Sequence, residues 1–391
     1  MEIGYTEEQQ ALRRELRDYY ANLLTPEVEE ELAQSHGVGP GVRRVVKQMA
    51  SDGWLGIGWP KEYGGQGRSA VEQFIFFDES MRCGAPVPML TINTVGPTIM
   101  HFGSDEQKAF FLPKILAGEI HFCIGYSEPN AGTDLAALQT RGVVDGDELV
   151  INGQKIFTSL AIDADYCWLA VRTNPEASKH KGISIVIVPM DTPGVRVVPM
   201  QLLGDHNVNY TFWEDVHVPL ANVVGGLNNG WNLVTNQLNH ERVTLCSPGI
   251  IERALDDVRR WAQQTTLTDG RRVIDQEWVR IHLARVHAKL EFLRLINWKV
   301  AWHGTQGRLD VADASTVKVF GTEFYMEALR LLSEVVGQAG YLRRGSPEEV
   351  LHGRLEAYTR GLVILTFGGG TNEIQRDLIV MFGLGMPRSL R

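Results

Sequence analysis

The chain has 391 residues, 44% hydrophobic and 22% charged, with a net charge of −9. That length suits two or three domains or one large composite fold, and the apolar fraction excludes a disordered chain. The acidic balance, with no long basic run to offset it, argues against a nucleic-acid binder, although a small anionic ligand would need only a local basic site.

The chain begins "MEIGYTEEQQALRRELRDYY", a charge-rich amphipathic helix without an apolar core segment, so neither a signal peptide nor a transit peptide is expected. Up to about residue 120, helical stretches alternate with Gly/Pro loops such as "GIGWPKEYGGQG" and "RCGAPVPM". Around residue 121 the period changes. "VVDGDELVINGQKIFTSL", "YCWLAVRT", "KGISIVIVPM" and "GVRVVPMQLL" are short β-branched runs separated by turn dipeptides, which predicts an antiparallel sheet or small barrel. From Trp231 onward the pattern is helical again. The expected fold is therefore α+β, with an N-terminal helical domain over 1–120, a central antiparallel β domain over 121–228 and a C-terminal helical bundle over 229–391. No GxGxxG follows a strand, which disfavours a Rossmann domain. No stretch approaches the roughly 20 apolar residues of a membrane span, so no membrane partner is expected. Cys83, Cys123, Cys167 and Cys246 are scattered without metal-ligand spacing. They read as reduced thiols of a cytoplasmic protein with no metal site.

Two features carry chemistry. Trp231, Val234, Leu238, Glu241 and Leu245 share one helical face, four of them large and apolar, so Glu241 stands where the pattern expects a core residue. It is either one half of a structural ion pair, with Arg242 or a distant cation, or a general base whose pKa burial has raised. Near the C-terminus, "LTFGGGTNEIQRDLIVMFGLG" places Gly368, Gly369 and Gly370 before a helix that Thr371 or Asn372 would cap. The run is either a flexible hinge or a backbone that something must approach closely, with free N–H groups open to an anion or a carbonyl oxygen.

The stretch "IGYSEPNAGTDLAALQT" resembles the flavin-binding signature of the acyl-CoA dehydrogenases, and the resemblance runs the length of the chain. "GIGWPKEYGG", "GSDEQKAFFLPKILAGE", "NGQKIFTS", "EDVHVP" and "GGGTNEIQR" follow in that family's order. It implies FAD in a cleft between the β domain and the C-terminal helices, and an acyl-CoA oxidised between its α and β carbons. By the same resemblance Ile124, Tyr126 and Ser127 line the flavin, Gly132 and Thr133 approach the pyrophosphate, and Thr371 and Glu373 complete the contacts. Phe157 stands where the family has a flavin-stacking tryptophan, and Ser159 where a hydroxyl meets the flavin; an ordinary core aromatic is the other reading of Phe157.

Most of the family carries its glutamate base in the middle of the C-terminal signature, where this chain has Gly369. Some branches place it immediately before an arginine on the helix after the sheet, as with Glu241 and Arg242 here, Arg242 being assigned to the substrate. Gly369 would still offer a backbone N–H to the thioester carbonyl. Two turns that complete a neighbour's FAD site in the family also differ, with Thr266 and Asp269, then Glu334 and Gln338, where Arg, Phe, Gln and Gly are usual. Acidic groups there would repel a pyrophosphate. The combination resembles the α2β2 heterotetramers of actinobacterial steroid side-chain degradation, in which a related subunit supplies the missing contacts. An electron-transfer flavoprotein is the expected class of electron acceptor.

Overall fold

The structure, a computed structural model, describes residues 4–242, 246–308 and 310–387, apart from the side chains of 238–242. Helices α1 (Glu7–Leu23), α2 (Pro26–Ser35), α3 (Pro40–Ser51), α4 (Ala70–Cys83), α5 (Gly96–Phe102) and α6 (Asp105–Leu116) form the first layer. Their starts were set by local chemistry: Thr6 with Gln9, Ser69 with Glu72 and Ser104 with Gln107 each form a capping box that satisfies orphan N–H groups.

The strands follow as β1 (Phe122–Gly125), β2 (Arg141–Asp145), β3 (Glu148–Ser159), β4 (Tyr166–Arg172), β5 (Ile183–Pro189), β6 (Val195–Met200), β7 (Val208–Pro219) and β8 (Val223–Val224). They form one sheet in the order β6-β7-β3-β2-β4-β5-β8, with β1 on β4. The sheet is mixed where pure antiparallel pairing was expected. β1 runs parallel to β4 over Phe122–Gly125, and β2 meets β4 in parallel only at Arg141 and Arg172. β1 arrives from the helical layer and leaves into a long loop, so it has no hairpin partner of its own and docks on the first half of β4. Five consecutive residues of β4, Cys167 to Val171, are buried. Cys167, Leu169 and Val171 face the core within the sheet, and Trp168 and Ala170 face the helices. A strand covered on both faces reads as a continuous apolar run.

After the sheet come α7 (Gly230–Arg242), α8 (Pro248–Gln264), α9 (Glu277–Thr305), α10 (Val311–Val336), α11 (Arg354–Gly361) and α12 (Asn372–Leu378). Leu233 and Val234 of α7 join the N-terminal core, whereas α8, α9 and α10 build a core of their own. Charged groups tie α4 to α1 and to the second helical layer. Glu79 on α4 is fully buried and accepts from Arg13 at 2.9 Å and Arg17 at 2.7 Å. Its neighbour Asp78 accepts from the Ser247 hydroxyl at 2.6 Å and Gly249 N at 2.8 Å, across the joint between α7 and α8. Burial raises the Asp78 pKa to about 6.

Candidate active site

The loop after β1 is held by a buried ion pair. Glu128 accepts from Lys155 Nζ at 2.8 Å, from Thr140 N at 2.8 Å and from Gln139 N at 2.6 Å, and Lys155 also donates to Tyr126 O at 3.1 Å. Desolvation pushes the Lys155 ammonium down to about 8, against the pull of Glu128. On the carboxyl, desolvation works upward, but Lys155 and the N–H donors outweigh it and hold Glu128 below the usual range. Neither residue was singled out from sequence, although both lie inside the quoted motifs; nothing in residue order says that they meet.

This clamp fixes the backbone of Tyr126 and Ser127. Ser127 O accepts from Ile156 N at 2.9 Å, which ties the loop to β3 where that strand slips register between Lys155 and Thr158. Phe157 sits in the slip with φ +60° and 58% of its surface exposed. A bulky residue in the left-handed region is held there by its surroundings, and a bulge is a common way to re-aim a side chain. Phe157 is thus turned outward beside Ser127, not into the core. Ser159, two residues on, is half-buried and opposite Val208. Ile124 is half-buried against the N-terminal core and paired with Trp168. Gly132 and Thr133 are exposed, and a Cβ added at Gly132 would meet nothing within 4 Å. An exposed ring, nearby hydroxyls and open backbone are a donor set that suits a planar, phosphorylated cofactor such as FAD.

Tyr126 also reaches α7. Its hydroxyl hydrogen-bonds Gln237 Oε1 and accepts from Trp168 Nε1 at 3.1 Å. Gln237 is fully buried and lies one helical turn before Glu241, so the helix carrying Glu241 is fastened to the edge that carries Ser127 and Phe157. The backbone of Glu241 and Arg242 forms the last turn of α7; their side chains, and residue Leu245 of the apolar stripe, lie outside the described residues.

In the C-terminal loop, Gly369 and Gly370 adopt φ +68° and +95°. Thr371 is the N-cap of α12, accepting from Ile374 N at 3.3 Å. That helix has 7 residues and continues as a wider turn over Ile379–Gly383, shorter than the sequence suggests. Glu373 is exposed, its carboxyl held below the usual range by a backbone hydrogen bond and by the Thr371 hydroxyl. Asn372 turns inward to the fully buried Lys318 of α10, which also donates to backbone carbonyls of the loop. Sequence reading missed Lys318; a lysine among apolar residues in "ASTVKVFGTEF" was the available signal.

The two altered turns carry their own counter-charges. Asp269 accepts from Arg271 Nη2 at 2.6 Å, and Glu334 meets His282 at 2.8 Å and Arg330 at 3.7 Å. The repulsion expected of these carboxylates is therefore offset by neighbouring basic groups. A cavity of about 560 Å³ lies elsewhere, between α1, α4 and α8. Its arginines, among them Arg17, Arg253 and Arg354, are matched by carboxylates such as Glu252, Glu29 and Asp257, so it is a crevice between layers.

Comparison with known proteins gives a consistent picture. Three families match: "Acyl-CoA dehydrogenase, N-terminal domain" over residues 6–119, "middle domain" over 123–216 and "C-terminal domain" over 228–384. The chain is 57% identical, over 100% of both chains, to the acyl-CoA dehydrogenase FadE26 of Mycobacterium tuberculosis. Among solved structures, it superposes on a chain of the ChsE4-ChsE5 complex from Mycobacterium tuberculosis with a TM-score of 0.94 and 57% identity, covering 100% of each chain. A structure described as the Tcur3481-Tcur3483 steroid ACAD gives a TM-score of 0.94 at 50% identity, again covering 100% of each chain.

Proposed function

The chain belongs to the acyl-CoA dehydrogenase family and is an FAD-dependent acyl-CoA dehydrogenase, and from that premise we propose that it is the FAD- and base-bearing subunit of a heteromer that desaturates a steroid side-chain CoA thioester. The observation that carries this reading is the single edge formed by Ser127, the outward Phe157 and, through the Tyr126–Gln237 hydrogen bond, the helix of Glu241. What supports the reading is that the helix bearing Glu241 is fastened to the loop of Tyr126 and Ser127.

In this reading Ile124, Tyr126, Ser127, Phe157 and Ser159 would line the flavin of FAD, Gly132 and Thr133 would approach its pyrophosphate, and Thr371 and Glu373 would complete its contacts. Bound FAD supplies the acceptor for the hydride that leaves the β carbon. Glu241 takes the α proton as that C–H bond breaks, Gly369 N–H steadies the charge that develops on the thioester oxygen, and Arg242 positions the acyl-CoA. An electron-transfer flavoprotein, in the cytoplasm, is the class of acceptor that would take up the electrons.

Assembly with a related subunit is supported by the names of the similar complexes and by one face of α9. Trp278, Ile281, Phe292, Leu295 and Trp302 fall on a single stripe there, each at least 43% exposed. The glycine at 369 favours a second reading, a catalytically silent subunit that only completes another chain's site. One preparation separates the two. Co-expression with the related subunit, FAD counting and anaerobic addition of a steroid-CoA panel should give substrate-induced flavin bleaching that Glu241→Gln abolishes. Bleaching that persists undiminished in the variant would remove Glu241 from the chemistry.

A further inference from the structure

Where the family's usual glutamate occupies the position of Gly369, one residue carries both the base and the N–H that meets the thioester oxygen, so their spacing is covalent. In the reading above those two parts sit on separate elements, the end of α7 and the loop before α12. Some third element must hold them at a fixed distance.

One turn of α10 grips that loop and also touches Cys246, just beyond α7. Lys318, fully buried, donates through Nζ to Thr366 O at 3.3 Å, Gly370 O at 2.5 Å and Asn372 Oδ1 at 2.9 Å, acceptors that bracket Gly369 on both sides. Thr322, the next turn along, accepts from Asn372 Nδ2 at 3.0 Å. Glycines in the left-handed region set no conformation of their own, so the direction of the Gly369 N–H depends on what grips the carbonyls around it. On its other side the same turn meets the chain leaving α7: Cys246 Sγ donates to Lys318 O at 3.7 Å. Gly321 permits this approach, because a Cβ there would stand 2.5 Å from Cys246 Cβ.

We infer that Lys318 is a positioning residue for α-proton removal, aligning the Gly369 N–H with a base carried on a different helix. The inference rests on the dehydrogenase reading. Its role is indirect, since Lys318 is buried beneath the loop and acts through the carbonyls that it holds.

The test uses the FAD-loaded assembly and a 3-thia-acyl-CoA, which loses its α proton without being oxidised and reports the enolate as a long-wavelength band with the flavin. Proton loss moves the C–H electron pair towards the thioester carbonyl and the proton to the base, so the pH midpoint of the band reads the alignment directly. Lys318→Met should move that midpoint up by about one unit or more and lower kcat about 100-fold, the scale of losing one oxyanion donor, with KM within about threefold. Thr322→Val, which loosens the same clamp, should shift the midpoint in the same direction by less. A Lys318→Met assembly that retains FAD with midpoint and kcat unchanged overturns the inference. So does a loss of thermal stability or FAD content with an unchanged midpoint in the loaded fraction, which is what a purely structural lysine would give. If Lys318→Met does not assemble, Thr322→Val decides: a raised midpoint supports the role and an unchanged one overturns it. A parent assembly that never forms the band sinks the dehydrogenase reading itself, before any variant is made.

Discussion

Two loops at this site are each held by a fully buried lysine, and they are held differently. Lys155 meets a carboxylate, Glu128, together with one carbonyl, inside the sheet domain. Among the described residues, Lys318 meets two backbone carbonyls and an amide, and the loop beneath it is made of glycine. The first clamp is an ion pair that fixes a chain already constrained by β-pairing. The second imposes a shape on backbone that has almost none of its own. Removing either lysine leaves buried polar groups unmet, but the first loss falls on stability and the second on geometry.

The largest expected effect tests the base proposed on the helix that Tyr126 fastens. Glu241→Gln should lower turnover by about 100-fold or more, as expected for removing a general base, while leaving the melting temperature and FAD content near those of the parent. A normal single-turnover rate would remove Glu241 from the proposed chemistry.

Lys155→Met strands the Glu128 carboxylate, which is 8% exposed, and should cost about 3 to 5 kcal/mol in a denaturant titration. Adding Glu128→Gln should recover part of that loss, and a purely additive double variant would show that the pair is not coupled.

The joint between α7 and α8 adds a pH term of about 3 kcal/mol at most. Asp78 has its pKa raised from 3.8 to about 6, so the folded protein binds the proton more tightly than the unfolded chain. The contribution is complete below the unfolded value and is lost as pH climbs through about 6. Asp78→Asn, which cannot ionise, should flatten the fall in stability between pH 4 and 6; an unchanged slope would assign it to other groups.

Gly370→Ala should cost about 2 kcal/mol, because a side chain at φ +95° is strained and its Cβ would lie 2.7 Å from the buried Gln375 Nε2. The smallest effect sharpens the contrast from the sheet side. Phe157→Gly removes a side chain from the left-handed region and should leave stability unchanged or raised by about 1 kcal/mol, while FAD dissociates more readily from the variant in dialysis.

The sequence was informative where a pattern is local. The change from helical to strand period near residue 121 and back after the sheet gave the layers, and three capping boxes can be read directly as Ser or Thr followed by Glu or Gln. The parallel docking of β1 was hidden, because periodicity reports which face is buried and says nothing of which neighbour covers it. At the site, Tyr126, Ser127 and Phe157 could be placed by resemblance, but the bulge that turns Phe157 outward depends on register against β7. Lys318 and Asn372 lie 54 positions apart and carry no motif in common. Contacts of that span are a property of the folded chain alone.

The apolar stripe on α9 bears on how the protein is made. Two tryptophans and three other large apolar side chains face outward there, so any copy produced in excess of whatever covers them offers a sticky surface to its siblings. If the proposed related subunit covers it, matched supply of the two chains would keep that surface covered from the outset. Expression of this chain alone should therefore yield more aggregate than co-expression with a chain that covers the five residues.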